Sequence, residues 1–187
     1  LSAHLDSGAK RVFISRNAKD TIDRYVIPGI NESSIKSSDK IISTTSSTTQ
    51  VLALMVKMLD ESFGLNRAMM TTVHAYTADQ PLADAAGVDL RRSRSAVENI
   101  IPNTTLAPSI VESLMPQFSG KLDGIAFNVP VPNGSCVDLT TELENTPSVD
   151  EANDAIKNFS KGSLEGIVGY TEDPIVSSDV IGREETM

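Results

Sequence analysis

The sequence is poor in cysteine, in aromatic residues and in long apolar runs. Its 187 residues include one cysteine, Cys136, and no tryptophan, and aromatic residues make up 4%. A single cysteine cannot form an internal disulfide, which excludes the disulfide scaffold of a small secreted protein. No apolar run approaches the roughly 18–20 residues of a membrane-spanning helix. The first residues, Leu1–Asp6, lack a basic segment followed by an apolar core, so no signal peptide is expected. These absences predict a cytoplasmic protein without a membrane partner.

Basic residues are outnumbered by acidic ones. Lysine and arginine number 16, aspartate and glutamate 25, and the formal net charge is −9 at pH 7. A negative surface argues against nucleic acid and anionic lipid as partners, although it is compatible with a local site for an anionic metabolite. No metal site is predicted. The hydrophobic content of 40% is ordinary for a soluble globular protein.

The clearest helix signal covers residues 46–63. Apolar residues recur there at helical spacing, Ser46 or Ser47 can cap the helix, and Gly64 can end it. Other helices are predicted at residues 2–10, from Pro108 onward, and after a Ser148/Glu151 capping box.

Strand signals lie between these helices. The predicted strands cover residues 11–15, 41–45, 68–73, 125–129, 137–143 and 174–181. Alternating apolar and polar residues in two of them predict a sheet with one buried face. Residues 84–99 are polar and Arg-rich, and predict a long loop with helical turns. Cys136 is predicted to be a small core residue of its strand.

Three polar segments carry the candidate chemistry. Hydroxyl residues fill positions 43–50, where a strand enters a helix whose free N–H groups suit an anion or oxyanion. Plain helix capping explains them too, and is commoner. His74 ends a predicted strand, where lone histidines are more often structural than catalytic. Arg91, Arg92 and Arg94 can grip a phosphate, or form an interface or a solvated face.

The order of these segments resembles one family. The motif S-T-T-S-S-T-T-Q at 43–50 is followed by T-T-V-H-A-Y-T-A-D-Q at 71–80 and D-L-R-R-S-R at 89–94. Then come I-I-P-N-T-T at 100–105 and G-I-A-F-N-V-P at 124–130. This series resembles the phosphorylating glyceraldehyde-3-phosphate dehydrogenases of glycolysis, over nearly the whole chain.

The resemblance implies a fold and a division of the chain. Residues 1–45 are similar to the end of the family's nucleotide-binding domain, and residues 46–182 to its catalytic and oligomerisation domain. Residues 183–187 diverge. The implied fold is α+β, with a mostly antiparallel or mixed sheet that helices cover on one face. The alternating helices and strands favour the same class.

The resemblance also implies residue roles. Ser47 stands at the position of the nucleophilic cysteine, and His74 at that of the histidine that activates the thiol. The loop at about 77–95 matches a segment that packs against a neighbouring subunit. The positions that match the substrate and phosphate sites, or lie beside them, are Thr48, Thr77, Asp79, Thr105 and one of Arg92 or Arg94.

The chain departs from the family at several of these positions. Ser47 replaces the thiol with an alcohol, a far weaker acid and a poorer acyl carrier, so most dehydrogenase activity should be lost. Gln50, Leu106 and Asn128 replace the family's usual asparagine, glycine and arginine. The family uses NAD or NADP, but no G-x-G-x-x-G fingerprint is present, and this chain alone is expected to bind neither.

Three interpretations follow. In the first, the chain is an inactive dehydrogenase-family domain with a weak site for a phosphorylated aldehyde or phosphate. In the second, it is an interaction module that assembles with itself or with family members. The third, a serine hydrolase using Ser47 and His74, lacks a G-x-S-x-G elbow and a third triad member.

Overall fold

The computed structural model describes residues 1–187, which form two sheets and four α-helices. The helices are α1 (Ser2–Asp6), α2 (Ser47–Phe63), α3 (Ala107–Leu114) and α4 (Val149–Ser160), with short 3₁₀ turns at Glu32–Ser34, Pro116–Phe118 and Ser177–Val180. No helix is both long and apolar enough to span a membrane.

The first 45 residues form a small parallel sheet. Its strands are β1 (Val12–Ile14), β2 (Arg24–Tyr25) and β3 (Ile41–Ser43), in the order β1-β3-β2. Asp39, which is 5% exposed, ties the connections together. It accepts hydrogen bonds from Arg24 Nε at 2.6 Å and from the backbone N–H of Lys36 at 2.8 Å. This sheet leads directly into α2.

The second sheet has four strands and is mixed. Its strands are β4 (Leu65–Ala75), β5 (Ile101–Asn103), β6 (Leu122–Val129) and β7 (Ser135–Leu143), in the order β5-β6-β4-β7. Strands β4 and β6 are parallel, whereas β7 and β5 run antiparallel to their neighbours. The predicted α+β class with a mixed sheet is confirmed.

Helices α2 and α3 cover one face of this sheet. The main core joins Leu52, Ala53 and Val56 of α2 to Met70 of β4 and Val111 of α3, all of them at most 1% exposed. Burying an aliphatic side chain of this kind contributes about 1.5–3 kcal/mol. Packing against the sheet therefore holds α2 in place far more than its caps do.

The other face of the sheet is uncovered. Ile125, Met69 and Val73 are 42%, 39% and 37% exposed, and Cys136 is exposed as well. The prediction that Cys136 belongs to the core was wrong. In β7, Val137 and every second residue after it face the helices. Cys136 is the neighbour of Val137 and therefore points to the opposite face.

The predicted last strand at 174–181 was also wrong. Residues 171–182 are all exposed and pair with no strand. The Asp179 carboxylate accepts a hydrogen bond from the backbone N–H of Val176 at 2.8 Å, and the 3₁₀ turn Ser177–Val180 follows. Local side-chain bonding thus competes successfully with an extended conformation.

The Asp39 contacts make a prediction about acid stability. The Arg24 guanidinium, followed by the Lys36 backbone N–H, lowers the pKa of the Asp39 carboxyl to about 2. Because the folded pKa lies below the unfolded value of about 3.9, the stabilisation is present above about pH 4 and is lost as the pH falls toward 2. We expect Asp39→Asn to lower the Tm at pH 7, and the Tm difference from the parent to shrink between pH 5 and pH 2.

Glu165→Gln is the control, since Glu165 is exposed and makes no side-chain hydrogen bond. Thermal unfolding followed by circular dichroism measures both variants. A Tm difference for Asp39→Asn that stays constant down to pH 2 would contradict the ion-pair explanation.

Candidate functional site

The start of α2 presents free backbone N–H groups beside Ser47. Ser46 is the N-cap, and its side chain accepts a hydrogen bond from the Thr49 N–H at 3.2 Å. The backbone N–H groups of Ser47 and Thr48 donate to no group of the chain. Ser47 is exposed, whereas Thr48 is buried. The predicted helix start is confirmed, and Ser46 rather than Ser47 is the cap.

The backbone before this helix is strained. Thr45 is fully buried and has a φ of 66°, the only residue other than glycine with a positive φ. A β-branched residue in that conformation is a genuine outlier and costs of order 1–3 kcal/mol. The Ser43 hydroxyl helps to hold it, since it accepts the Thr45 N–H at 3.0 Å. The strain lies two residues before Ser47.

His74 is the penultimate residue of β4 and is partly buried. Its Nδ1 lies 2.7 Å from the carbonyl oxygen of Ala75. Because a carbonyl only accepts, Nδ1 must carry the proton in this contact, and Nε2 of the neutral ring is then an acceptor. That state of the ring is the one a general base requires.

Ser47 and His74 lie at the same end of the fold. Gly64 ends α2 and β4 begins at Leu65, so the strand runs back along the helix and its last residues reach the level of the helix start. No hydrogen bond joins the Ser47 hydroxyl to His74. The structure therefore places the two residues at one end without pairing them.

Thr77, Asp79 and Arg92 form one connected group. The Thr77 hydroxyl donates to Asp79 Oδ1 at 2.5 Å, and the Arg92 guanidinium donates to Asp79 Oδ2. The Thr77 hydroxyl, and to a lesser extent Arg92, holds the pKa of the Asp79 carboxyl below its usual range. Three predicted site residues are thus brought together, but the Arg92 guanidinium is already paired with the Asp79 carboxylate.

Arg94 belongs to a different contact. Its Nε donates to Asp84 Oδ2 at 2.9 Å, and both side chains are about 60% exposed. The backbone N–H of Ser95, more than Arg94, holds the pKa of the Asp84 carboxyl low. Arg94 therefore braces the loop instead of joining Thr77 and Asp79.

Thr105 precedes α3 and acts locally as a capping residue. Its hydroxyl oxygen accepts a hydrogen bond from the Ala107 N–H at 3.1 Å. The next residue, Leu106, is 63% exposed and stands at the helix N-cap. The predicted phosphate-site hydroxyl is therefore partly engaged by its own helix.

The sequence gives little indication of two asparagines of the site. The resemblance implies only that Asn128 replaces an arginine, and no pattern singles out Asn103. Asn128 is 7% exposed and donates to the Ala75 carbonyl oxygen at 3.1 Å. Asn103 Nδ2 donates to Asn128 Oδ1 at 3.0 Å. Pairing between neighbouring strands brings them together, which one chain segment cannot reveal.

Similarity to known proteins decides the family. Residues 46–187 match the family described as glyceraldehyde 3-phosphate dehydrogenase, C-terminal domain. This chain belongs to that family. The proteins called glyceraldehyde-3-phosphate dehydrogenase in Mycobacterium tuberculosis (strain ATCC 25618 / H37Rv) and Streptomyces coelicolor are 48% and 49% identical to it, over 95% and 96% of this chain. The resemblance inferred from the ordered motifs is confirmed.

The chain spans about half the length of these relatives. The matches cover 52% of the mycobacterial protein and 54% of the Streptomyces protein. A similar match, 46% identical, covers 54% of glyceraldehyde-3-phosphate dehydrogenase from Priestia megaterium. Oxidoreductase activity is the property of those full-length relatives.

The chain has no glycine-rich turn of the kind that binds a dinucleotide. A dinucleotide pyrophosphate binds a glycine-rich turn between a strand and a helix N-terminus. Neither β1 nor β2 is followed by an α-helix, and the connection from β3 to α2, Thr44–Ser46, contains no glycine. No three His, Cys, Asp or Glu side chains are grouped so as to hold a metal ion.

The pairing of Arg92 makes a prediction about phosphate affinity. Asp79→Asn removes the competing carboxylate and leaves Thr77 with an acceptor. Because an exposed ion pair is worth up to about 1 kcal/mol, we expect inorganic phosphate to bind about threefold more tightly. Phosphate titrations followed by calorimetry or by amide chemical shifts measure the affinity.

Asp84→Asn is the matched control, since it releases Arg94 in the same way. We expect it to leave phosphate affinity unchanged. Tightening in Asp84→Asn alone would assign the phosphate contact to Arg94, and no change in either variant would contradict a guanidinium contribution.

Proposed function

We propose that this chain is a substrate-binding domain of the family that holds a small phosphorylated aldehyde or phosphate weakly and lacks thiol chemistry. The proposal is supported by the position of the α2 N-terminus, with its unpaired N–H groups, at the same end of the fold as His74. Such N–H groups and the positive end of the helix dipole stabilise an anion.

Weak binding follows from the charge state of the site. Arg92 and Arg94 are occupied by Asp79 and Asp84, and Asn128 brings no charge. Charge-assisted hydrogen bonds to a ligand are worth roughly 1.5–3 kcal/mol each. Without them, the helix N-terminus and neutral hydroxyls remain as the main contacts. We therefore expect the affinity for phosphate to be low.

Loss of the covalent step follows from the chemistry of Ser47. A thiol with a pKa of about 8.5 is easily ionised by a helix N-terminus and an imidazole. A serine hydroxyl ionises only with a strong, correctly placed base, and His74 makes no hydrogen bond to it. The proposed domain therefore binds its ligand without forming an acyl intermediate.

Restoring the thiol tests whether the site geometry is intact. In a Cys136→Ser background, we expect the Ser47→Cys thiol to react with iodoacetamide at pH 7 about tenfold faster than Cys136 in the parent. The reason is that the helix N-terminus and His74 lower its pKa, which raises the thiolate fraction. Mass spectrometry of timed samples measures the rate.

The control adds His74→Gln to the same variant. We expect its reaction rate to fall most of the way to the Cys136 value. A Ser47→Cys thiol no faster than Cys136 would contradict the proposed site.

We also expect no aldehyde-dependent NAD reduction by the parent above a Ser47→Ala variant. Both are mixed with a separately expressed nucleotide-binding half of a relative.

A second candidate function is an assembly module, and the uncovered sheet face favours it. Ile125, Met69 and Val73 form an exposed apolar stripe. An open cleft of about 600 Å³ lies beside it, between the loop residues Asp89–Arg91 and the sheet residue Phe127. Apolar surface of this kind marks a protein interface. The partner would be another copy of this chain or a full-length family member.

Placing a charge on this stripe tests the assembly. We expect Ile125→Asp to shift the oligomer to monomer by native mass spectrometry or sedimentation, because a buried unpaired carboxylate opposes association. Val149→Asp changes a residue that is 76% exposed on α4, away from the sheet, and should keep the parent mass. A parent that is already monomeric, alone and with a full-length relative, would refute the assembly role.

A further inference from the structure

A chain of amide groups connects His74 to the turn before α3. The carbonyl oxygen of Ala75 receives His74 Nδ1 at 2.7 Å and Asn128 Nδ2 at 3.1 Å. Asn128 Oδ1 in turn accepts from Asn103 Nδ2 at 3.0 Å, and Asn103 Oδ1 accepts from the Thr104 N–H at 2.9 Å. Four hydrogen bonds thus run from β4 across β6 to the end of β5.

The Thr104 N–H and the Ala75 carbonyl fix the direction of every hydrogen bond in this series. The Thr104 N–H can only donate, so Asn103 must present its oxygen there and its NH₂ group to Asn128. The Ala75 carbonyl can only accept, so Asn128 must present its NH₂ group to it and its oxygen to Asn103. The same carbonyl therefore receives a protonated Nδ1 from His74. One arrangement satisfies all four contacts.

The strands hold the participating residues in register. His74 is directly opposite Asn128 in the parallel pair of β4 and β6, and Asn128 is opposite Ile101 in the antiparallel pair of β6 and β5. Asn128 is 7% exposed, and both its Oδ1 and its Nδ2 are engaged within the protein. A buried amide satisfied at both atoms orients its neighbours firmly.

We propose that Asn128 and Asn103 are positioning residues that keep His74 in the tautomer with Nδ1 protonated and Nε2 free, and that fix the Thr104–Thr105 turn relative to it. The inference rests on the proposed function in treating His74 as a residue of the ligand site. Two donors on one carbonyl hold the plane of the Ala75–Tyr76 peptide, and that plane sets where Nδ1 finds its acceptor. The hydrogen bond made by one imidazole nitrogen decides which of the two carries the proton.

Reversing one amide at a time tests the chain of bonds. Asn128→Asp places a carboxylate oxygen against the Ala75 carbonyl oxygen, which therefore loses its second hydrogen-bond donor. Asn103→Asp still accepts from Thr104, but it offers Asn128 no donor. The Asn128 amide then turns its NH₂ group toward the new carboxylate on β5 and its oxygen toward Ala75. Each variant breaks the same contact at Ala75 from a different strand.

The measurement is the ¹⁵N spectrum of the imidazole of His74 at about pH 9, where an ordinary histidine is neutral. The chain has two histidines, and a His4→Gln background leaves His74 alone. In the parent we expect Nδ1 to be the protonated nitrogen. In both Asp variants we expect the ratio of the Nδ1–H to the Nε2–H tautomer to fall about fivefold, the equivalent of one ordinary hydrogen bond.

Asn145→Asp is the matched control, because Asn145 Nδ2 also donates to a backbone carbonyl, that of Phe63, at the other end of the sheet. It should leave the His74 tautomer unchanged. An unchanged ratio in Asn128→Asp and Asn103→Asp, an equal change in Asn145→Asp, or a parent with Nε2 protonated overturns the proposal. Circular dichroism confirms folding, and if Asn128→Asp fails to fold, the half-buried Asn103→Asp carries the test.

This readout requires neither turnover nor ligand. A tautomer shift together with an unreactive Ser47→Cys thiol would keep the positioning role and reject the proposed function. A reactive thiol with an unchanged tautomer would do the reverse.

Discussion

The reversal of the chain at Gly64 is the constraint on which the rest of the site depends. Gly64 has a φ of 71°, and a Cβ atom there would lie 2.8 Å from the Glu144 carboxylate. Its N–H closes α2 on the Asp60 carbonyl, and its own carbonyl accepts from the Glu144 N–H. Helix and strand are therefore joined without a loop. A helix of 17 residues, about 25 Å long, lies against a strand of 11 residues that is long enough to return to its start.

Burial of α2 makes this reversal stable enough to carry strain elsewhere. Leu52, Val56 and Met70 are almost completely buried between helix and sheet, and Ala53 lets the two approach closely. A few such side chains contribute more than the cost of one residue with an unfavourable φ. Thr45 can therefore be held at 66° where β3 ends and α2 begins. The strained turn and the exposed Ser47 are consequences of a helix that cannot shift.

Local signals in the sequence predicted the elements well and their surroundings less well. The Ser148/Glu151 capping box and the Gly64 stop were confirmed because each needs only residues within one turn. The alternation in β6 predicted a strand, but its buried face carries Ala126 and Asn128, whereas Ile125 is exposed. A period of two residues does not say which face a helix will cover. Because the uncovered face of the sheet is partly apolar, the larger apolar residues of a strand are not always the buried ones.

The candidate site shows the same division between local and distant information. Ordered motifs predicted Ser47, His74, Thr77 and Asp79, and the structure joins Thr77 to Asp79 over two residues. The ion pairs Arg92–Asp79 and Arg94–Asp84 span 13 and 10 residues, and they decided which guanidinium lies near Thr77. The Asn103–Asn128 contact spans 25 residues and depends on the register of two strands. Composition contains no trace of it.

These contacts give the proposed departures from the family pattern a common physical explanation. An unpaired cation at a position as buried as Asn128 would be costly unless an anion were bound beside it. An amide paired at both its atoms carries no such cost. The same reasoning applies in the loop, where carboxylates of the chain itself neutralise Arg92 and Arg94. In the proposed weak binder, which requires no tightly bound anion, residues that satisfy each other within the protein are the more stable choice. A hydroxyl at Ser47 belongs to that pattern, because it needs no neighbouring charge to be stable at the end of a helix.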